Sequence, residues 1–210
     1  MYSRSLILCA AALLTVSTAF GDDKPASEKP KTGLKPGNDL PGPFRPYNVT
    51  GKFEKKFHCL SDEHGLNPNV MVIVQNVSVG EDNFKPVLSL LQQLDQYIVD
   101  KPKSRLNAFA VFLFNDLTDV VKEDEMRAKY VDVVTKINGT DKPLKQVVLS
   151  LDSVGALKSA GYDINPEWHV AVVLYDKLQV TNVYTAVDPS KLDGAAIMKE
   201  VKENLAPFKK

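Results

Sequence analysis

The run Val70-Met71-Val72-Ile73-Val74 is continuously apolar and mainly β-branched. Strands with one solvated face alternate apolar and polar residues, whereas an uninterrupted run of this length is typical of a strand covered on both faces. The run therefore predicts a central strand of a sheet with helices packed on its two sides.

The pattern that follows alternates helices and strands. A helix is predicted from Asn83 and Pro86, and buried strands at Phe109–Phe114 and Val147–Leu151. Strands Val170–Tyr175 and Gln179–Ala186 flank a predicted turn at Asp176-Lys177. Helical apolar stripes are formed by Val87, Leu90, Leu91, Leu94 and Ile98, by Met126, Tyr130, Val133, Val134 and Ile137, and by Ile197, Val201 and Leu205, with a short helix over Val154–Ala160. The predicted fold class is α/β, a central mixed sheet flanked by helices with a C-terminal β-hairpin and helix.

The first residues are typical of a secretory signal peptide. Arg4 precedes a short apolar stretch, and small residues end at Gly21, before Asp22. The apolar stretch is shorter than the roughly 20 residues that a membrane helix requires. We therefore expect residues 1–21 to be removed and the remaining protein to be exported to the periplasm or the extracellular space, with no membrane span.

Residues 22–46 form a predicted disordered tether rich in proline and lysine, because they hold six of the 13 prolines and almost no large apolar residues. A folded domain is expected over residues 47–210. Removal of the leader leaves 25 Lys plus Arg against 26 Asp plus Glu, so the mature chain is close to neutral. This charge balance gives no basic surface for nucleic acid.

Reactive side chains concentrate in one segment, His58-Cys59-Leu60-Ser61-Asp62-Glu63-His64. Cys59 is the cysteine that remains after the leader, which takes Cys9 with it. Thiolate, imidazole and carboxylate groups carry redox and metal chemistry, so any chemistry of this chain is expected in this segment.

The order of elements resembles the thioredoxin-like fold, in the variant seen in peroxiredoxins and related exported thiol proteins, over roughly residues 47–207. The string from Phe57 to Pro68 resembles exported bacterial thioredoxin-like proteins, notably of planctomycetes, in which a C-x-x-C pair precedes H-G-L-x-P. Here the C-x-x-C is degenerate, since Asp62 replaces the second cysteine. The resemblance implies a reactive cysteine in the loop after the first central strand, yet the matching residues 75–85 contain none.

Several interpretations of Cys59 follow. Cys59 is either a small buried residue on a strand edge, or a catalytic thiol activated by His58 or His64 in a single-cysteine oxidoreductase of peroxidase type that uses an external reductant. Alternatively, the segment binds zinc or copper through His58, Cys59, Asp62 and His64.

In a further interpretation the protein has lost redox chemistry and uses the fold as an interaction or structural module. This is the function that the sequence favours. It requires no cofactor. The partner would be a protein or a thiol compound that the sequence does not identify.

Overall fold

The computed structural model describes residues 34–75, 82–138 and 142–207. Within these ranges the chain forms a six-stranded sheet in the order β1-β4-β3-β2-β5-β6. The strands are β1 (Tyr47–Asn48), β2 (Asn69–Gln75), β3 (Asn107–Leu113), β4 (Val148–Asp152), β5 (Val170–Asp176) and β6 (Gln179–Ala186). The α-helices are α1 (Leu60–His64), α2 (Lys85–Asp100), α3 (Asp124–Asn138), α4 (Val154–Ser159) and α5 (Gly194–Glu200), and a π-helical turn at Val201–Leu205 extends α5.

The sheet is mixed, as the sequence predicts. Strands β2, β3 and β4 are parallel, whereas β5 pairs with β2, β6 with β5 and β1 with β4 in antiparallel fashion. Every residue of β2 is buried, which confirms the central strand expected from the apolar run at residues 70–74.

Helices cover both faces of the sheet. The alternate residues Val70, Val72 and Val74 pack in one core cluster with apolar residues of α2, α3 and α5. Met71 and Ile73 face the other way, into a second cluster with Leu60 of α1 and Leu157 of α4. Helices α2 and α3 contribute to the first cluster, whereas Leu157, Tyr162 and Ile164 of the connection from β4 to β5 lie in the second, so this connection crosses the opposite face of the sheet.

The predicted tether is wrong for its last part. Residues 34–46 were expected to be disordered, yet Leu34, Leu40 and Phe44 are buried in the second core cluster. The backbone N–H of Leu40 donates to the carbonyl of Leu178 at 2.7 Å, which attaches this segment to the β5–β6 hairpin. The folded part therefore includes residues 34–46.

The remaining sequence predictions have mixed outcomes. The helices, buried strands and hairpin are confirmed, but the hairpin turn lies at Lys177 and Leu178 rather than at Asp176-Lys177, and both turn residues adopt positive φ angles of 52° and 62°. The predicted signal peptide at residues 1–21 and the start of the tether lie outside the described residues. No helix in the described part of the chain is long and apolar enough to cross a membrane.

Candidate functional site

Cys59 lies at the start of the short helix α1. It is the N-cap residue of α1, with extended backbone angles, so its expected position on a strand edge is wrong. The residue is buried, as one of the interpretations of the sequence expects, since 4% of it is exposed. The sulfur Sγ lies 3.1 Å from Oγ of Ser61, within hydrogen-bonding distance.

The surroundings of Cys59 belong to the protein interior. The next residue, Leu60, packs in the second core cluster with Tyr162 and Tyr175, both fully buried. Burial raises the pKa of both tyrosine hydroxyls, and the Cys59 thiol and the Asp62 carboxyl raise it further. Neither hydroxyl has a hydrogen-bond partner among the residues that the structure describes. The thiol therefore lies beneath the surface, next to polar groups that are themselves secluded.

The two histidines of the segment, His58 and His64, have different surroundings. The His58 ring stacks on Phe53 with a centroid distance of 3.7 Å, and its Nε2 lies 3.3 Å from Oε2 of Glu63 without a hydrogen bond. His64 lies at the other end of α1, where its ring centroid is 5.7 Å from that of Phe109. Burial lowers the pKa of His64, against the opposing effects of Glu63 and of a hydrogen bond with Asn69.

The structure does not gather the predicted metal ligands. Asp62 is exposed, Cys59 is buried, and His58 pairs with Glu63, which the sequence did not place in the set. Within residues 34–75, 82–138 and 142–207, no group of three or more His, Cys, Asp or Glu side chains is close enough to hold an ion. Zinc or copper binding by His58, Cys59, Asp62 and His64 stays a prediction that this arrangement does not favour.

The carboxyl end of β2 is anchored by a glutamine. Gln75 is buried, and its backbone N–H donates to the carbonyl of His169 at 2.8 Å. Its side-chain Nε2 donates to the carbonyls of Asn165, at 2.8 Å, and Trp168. These bonds join the end of β2 to the segment that enters β5. The sequence after Gln75, where the resemblance implies a reactive cysteine, contains no thiol before α2.

A second polar site lies at the carboxyl end of β4. Asp152 ends this strand and is 1% exposed. Its Oδ1 accepts a hydrogen bond from the backbone N–H of Ser153 at 2.7 Å. Its pKa is raised to about 7, mainly by burial and to a smaller extent by the Asp119 carboxyl, while the Ser153 N–H opposes the shift.

Asp152 lines an open cleft of about 660 Å³. We call this the Asp152 cleft. It is bounded by three segments, which are residues 43–45 before β1, residues 118–121 before α3, and residues 152–160 around α4. Carboxyl ends of parallel strands are where open α/β sheets commonly form binding crevices, so the position suits a ligand site.

Asp152 was missed in the sequence. Its signal was a charged residue directly after the buried run Val147–Leu151, followed by Ser153, whose Oγ accepts from the N–H of Ala156 as the cap of α4. Because Asp152 ends a buried strand and directly precedes the cap of a helix, it lies at the carboxyl edge of the sheet.

Solved structures identify the fold. The chain is similar to a putative protein disulfide isomerase from Bacteroides thetaiotaomicron, with 14% identity, TM-score 0.53, and coverage of 83% of this chain and 92% of that one. It is also similar to the exposed lipoprotein thioredoxin of Streptococcus pneumoniae, with 15% identity, TM-score 0.50, and coverage of 77% and 99%. Yeast Sco1 with copper bound matches at 16% identity and TM-score 0.50, with coverage of 80% and 95%. No protein-family model and no curated protein matches the sequence. The fold is thioredoxin-like.

Proposed function

We propose that this protein is an exported thioredoxin-fold binding module that has no thiol redox activity of its own. The observation that carries the proposal is the burial of Cys59, which is 4% exposed, with its sulfur 3.1 Å from Oγ of Ser61. Thiol–disulfide exchange requires the sulfur to reach a disulfide on another molecule, and a buried sulfur has no such access.

The cysteine content supports the same conclusion. The sequence contains Cys9 and Cys59, and Cys9 belongs to the predicted signal peptide. Because Asp62 stands at the second position of the C-x-x-C pair, a mixed disulfide at Cys59 would have no internal thiol to resolve it.

The position of Cys59 also differs from that of a thioredoxin-type thiol. Two proteins of similar structure are a putative protein disulfide isomerase and a thioredoxin, so this fold is associated with thiol chemistry in other proteins. In thioredoxins the reactive cysteine follows the first central strand, which corresponds here to the residues after Gln75. This chain has its remaining cysteine before that strand, on α1.

Catalytic assays of the mature protein and its Cys59→Ser variant test the proposal. We expect both proteins to show only background rates of disulfide reduction with dithiothreitol and of peroxide consumption. A wild-type rate more than about tenfold above that of Cys59→Ser would support the competing single-cysteine oxidoreductase. Since serine is nearly isosteric with cysteine, matched unfolding curves would show that any difference comes from the sulfur.

A further inference from the structure

We propose that the Asp152 cleft binds an organic cation, a primary ammonium or guanidinium group on an aliphatic chain, with the Asp152 carboxylate as its counter-ion. The group is either a free amine or the side chain of a Lys or Arg in a partner. This inference rests on the proposed binding role and gives it a site and a ligand class.

The first support is an incompletely satisfied carboxylate. Asp152 is 1% exposed, and the one hydrogen bond to its carboxyl group comes from the N–H of Ser153 to Oδ1. In the described chain Oδ2 has no hydrogen-bond partner, and no Lys or Arg lies within ion-pair distance of either oxygen. Buried carboxylates are normally paired, and Asp152 is one of the residues that line the cleft, so its carboxyl group is the acceptor that a ligand in the cleft would complete.

The second support is the charge of the surrounding segments. Asp119, in the loop before α3, also lines the cleft and raises the pKa of Asp152, and its own Oδ2 is paired with Lys122 at 3.0 Å. Arg45 lines the cleft from the opposite segment, but it is exposed and does not pair with Asp152. Lys122 therefore neutralises Asp119, whereas an ionised Asp152 has no cationic partner in the described chain, which favours a cation over an anion beside it.

The third support is the lining of the cleft. Apolar atoms of Phe44, Val120 and Ala156 line it together with the hydroxyl-bearing residues Thr118 and Ser159. Methylene groups of an alkylamine or of a Lys or Arg side chain pack well against such a mixed wall while the charged end stays polar. The cleft also has room for such a chain, at about 660 Å³.

Titration of the ¹⁵N-labelled mature protein with n-butylammonium, followed by amide shifts of Ser153, Gly155 and Ala156, tests the inference. We expect saturable shifts with n-butylammonium and n-butylguanidinium and none with uncharged n-butanol. Binding should strengthen about 30-fold from pH 5.5 to pH 8 as Asp152 ionises with a pKa of about 7, since an alkylammonium stays charged in this range. The peptide Gly-Lys-Gly, compared with its norleucine analogue, distinguishes a partner side chain from a free amine.

Variants give the decisive comparison. Asp152→Asn should weaken n-butylammonium binding at least about tenfold, whereas Asp132→Asn, which removes an exposed carboxylate of α3, should leave it unchanged. Equal shifts with butanol, equal binding by Asp152→Asn, or no saturation with either cation would overturn the inference. The absence of thiol activity would be unaffected by that result, because the catalytic assays of Cys59→Ser measure it separately.

Discussion

Replacement of Asp152 by Asn should make the protein less sensitive to pH and more stable at high pH. Burial raises the pKa of this carboxyl group from 3.8 to about 7 in the folded state. Between these values the folded protein keeps a proton that the unfolded chain releases. By linkage, the wild type therefore loses stability as pH rises from about 4 to about 7.

The magnitude follows from the size of the shift. Above pH 5 the unfolded chain is ionised while folded Asp152 keeps its proton, so the wild type loses about 1.36 kcal/mol per pH unit until folded Asp152 ionises near pH 7, a total of about 2.5 kcal/mol by pH 8. Asparagine does not titrate, so Asp152→Asn should not lose this amount. Its side-chain oxygen still accepts from Ser153, but its buried N–H₂ adds a pH-independent cost of about 1–2 kcal/mol.

Urea unfolding of both proteins at pH 5 and pH 8 measures the effect. The difference in unfolding free energy, variant minus wild type, should increase by about 2–3 kcal/mol from pH 5 to pH 8. Asp132→Asn on exposed α3 is the control and should show no such increase. A difference that stays constant between the two pH values would refute the assignment of Asp152 as a buried, proton-binding carboxyl group.

Three other perturbations have defined outcomes. Oδ1 of Asp95 accepts hydrogen bonds from the backbone N–H groups of residues 145, 146 and 147 at 2.8, 2.6 and 2.9 Å. In urea unfolding, Asp95→Ala should therefore lower the unfolding free energy by about 2–4 kcal/mol, and Asp95→Asn, which keeps an acceptor oxygen, by much less. Equal losses for the two variants would contradict this role. Tyr97→Phe should cost about 1 kcal/mol, since its hydroxyl donates to the carbonyl of Ala206 at 2.8 Å, and an unchanged unfolding midpoint would contradict it. The pKa of His64 is lowered by burial, so below about pH 6.5 the unfolded chain binds a proton that the folded protein does not. The free energy of unfolding should therefore fall as the pH drops below about 6.5. His64→Gln should lose less stability than the wild type between pH 6.5 and pH 5, and parallel pH profiles would argue against this.

The main elements could be predicted because their periodicity was long and regular. The buried run of β2 and the apolar stripe of α2 each leave a repeated signal in the sequence. Strand β1, with 2 residues, and helix α1, with 5, are too short to produce one, so both were missed.

The ordered segment before β1 was hidden by its composition. Prolines and lysines dominate residues 22–46, and its few large apolar residues, Leu34, Leu40 and Phe44, are too widely spaced to form a local pattern. They become buried because the second face of the sheet offers them an apolar surface, which is a tertiary effect.

The candidate site was only partly predictable for a similar reason. The sequence identified Cys59 as the residue to test, and its burial agrees with the general preference of free cysteine. Residue proximity along the chain suggested a common site for His58 and His64, but their rings pack against different aromatic residues, Phe53 and Phe109. Asp152 and Asp119 come together only through the loops at the carboxyl edge, so no local motif marks them.

The rate at which Cys59 reacts with iodoacetamide at neutral pH tests the central claim most directly. The mature protein is compared in its folded state and in guanidinium chloride, where the thiol is fully accessible. Because Cys59 is 4% exposed, the folded protein should react at least about 100-fold more slowly than the unfolded chain, through rare opening of the structure. A folded rate equal to or above that of the unfolded thiol would contradict the account and identify Cys59 as a reactive group.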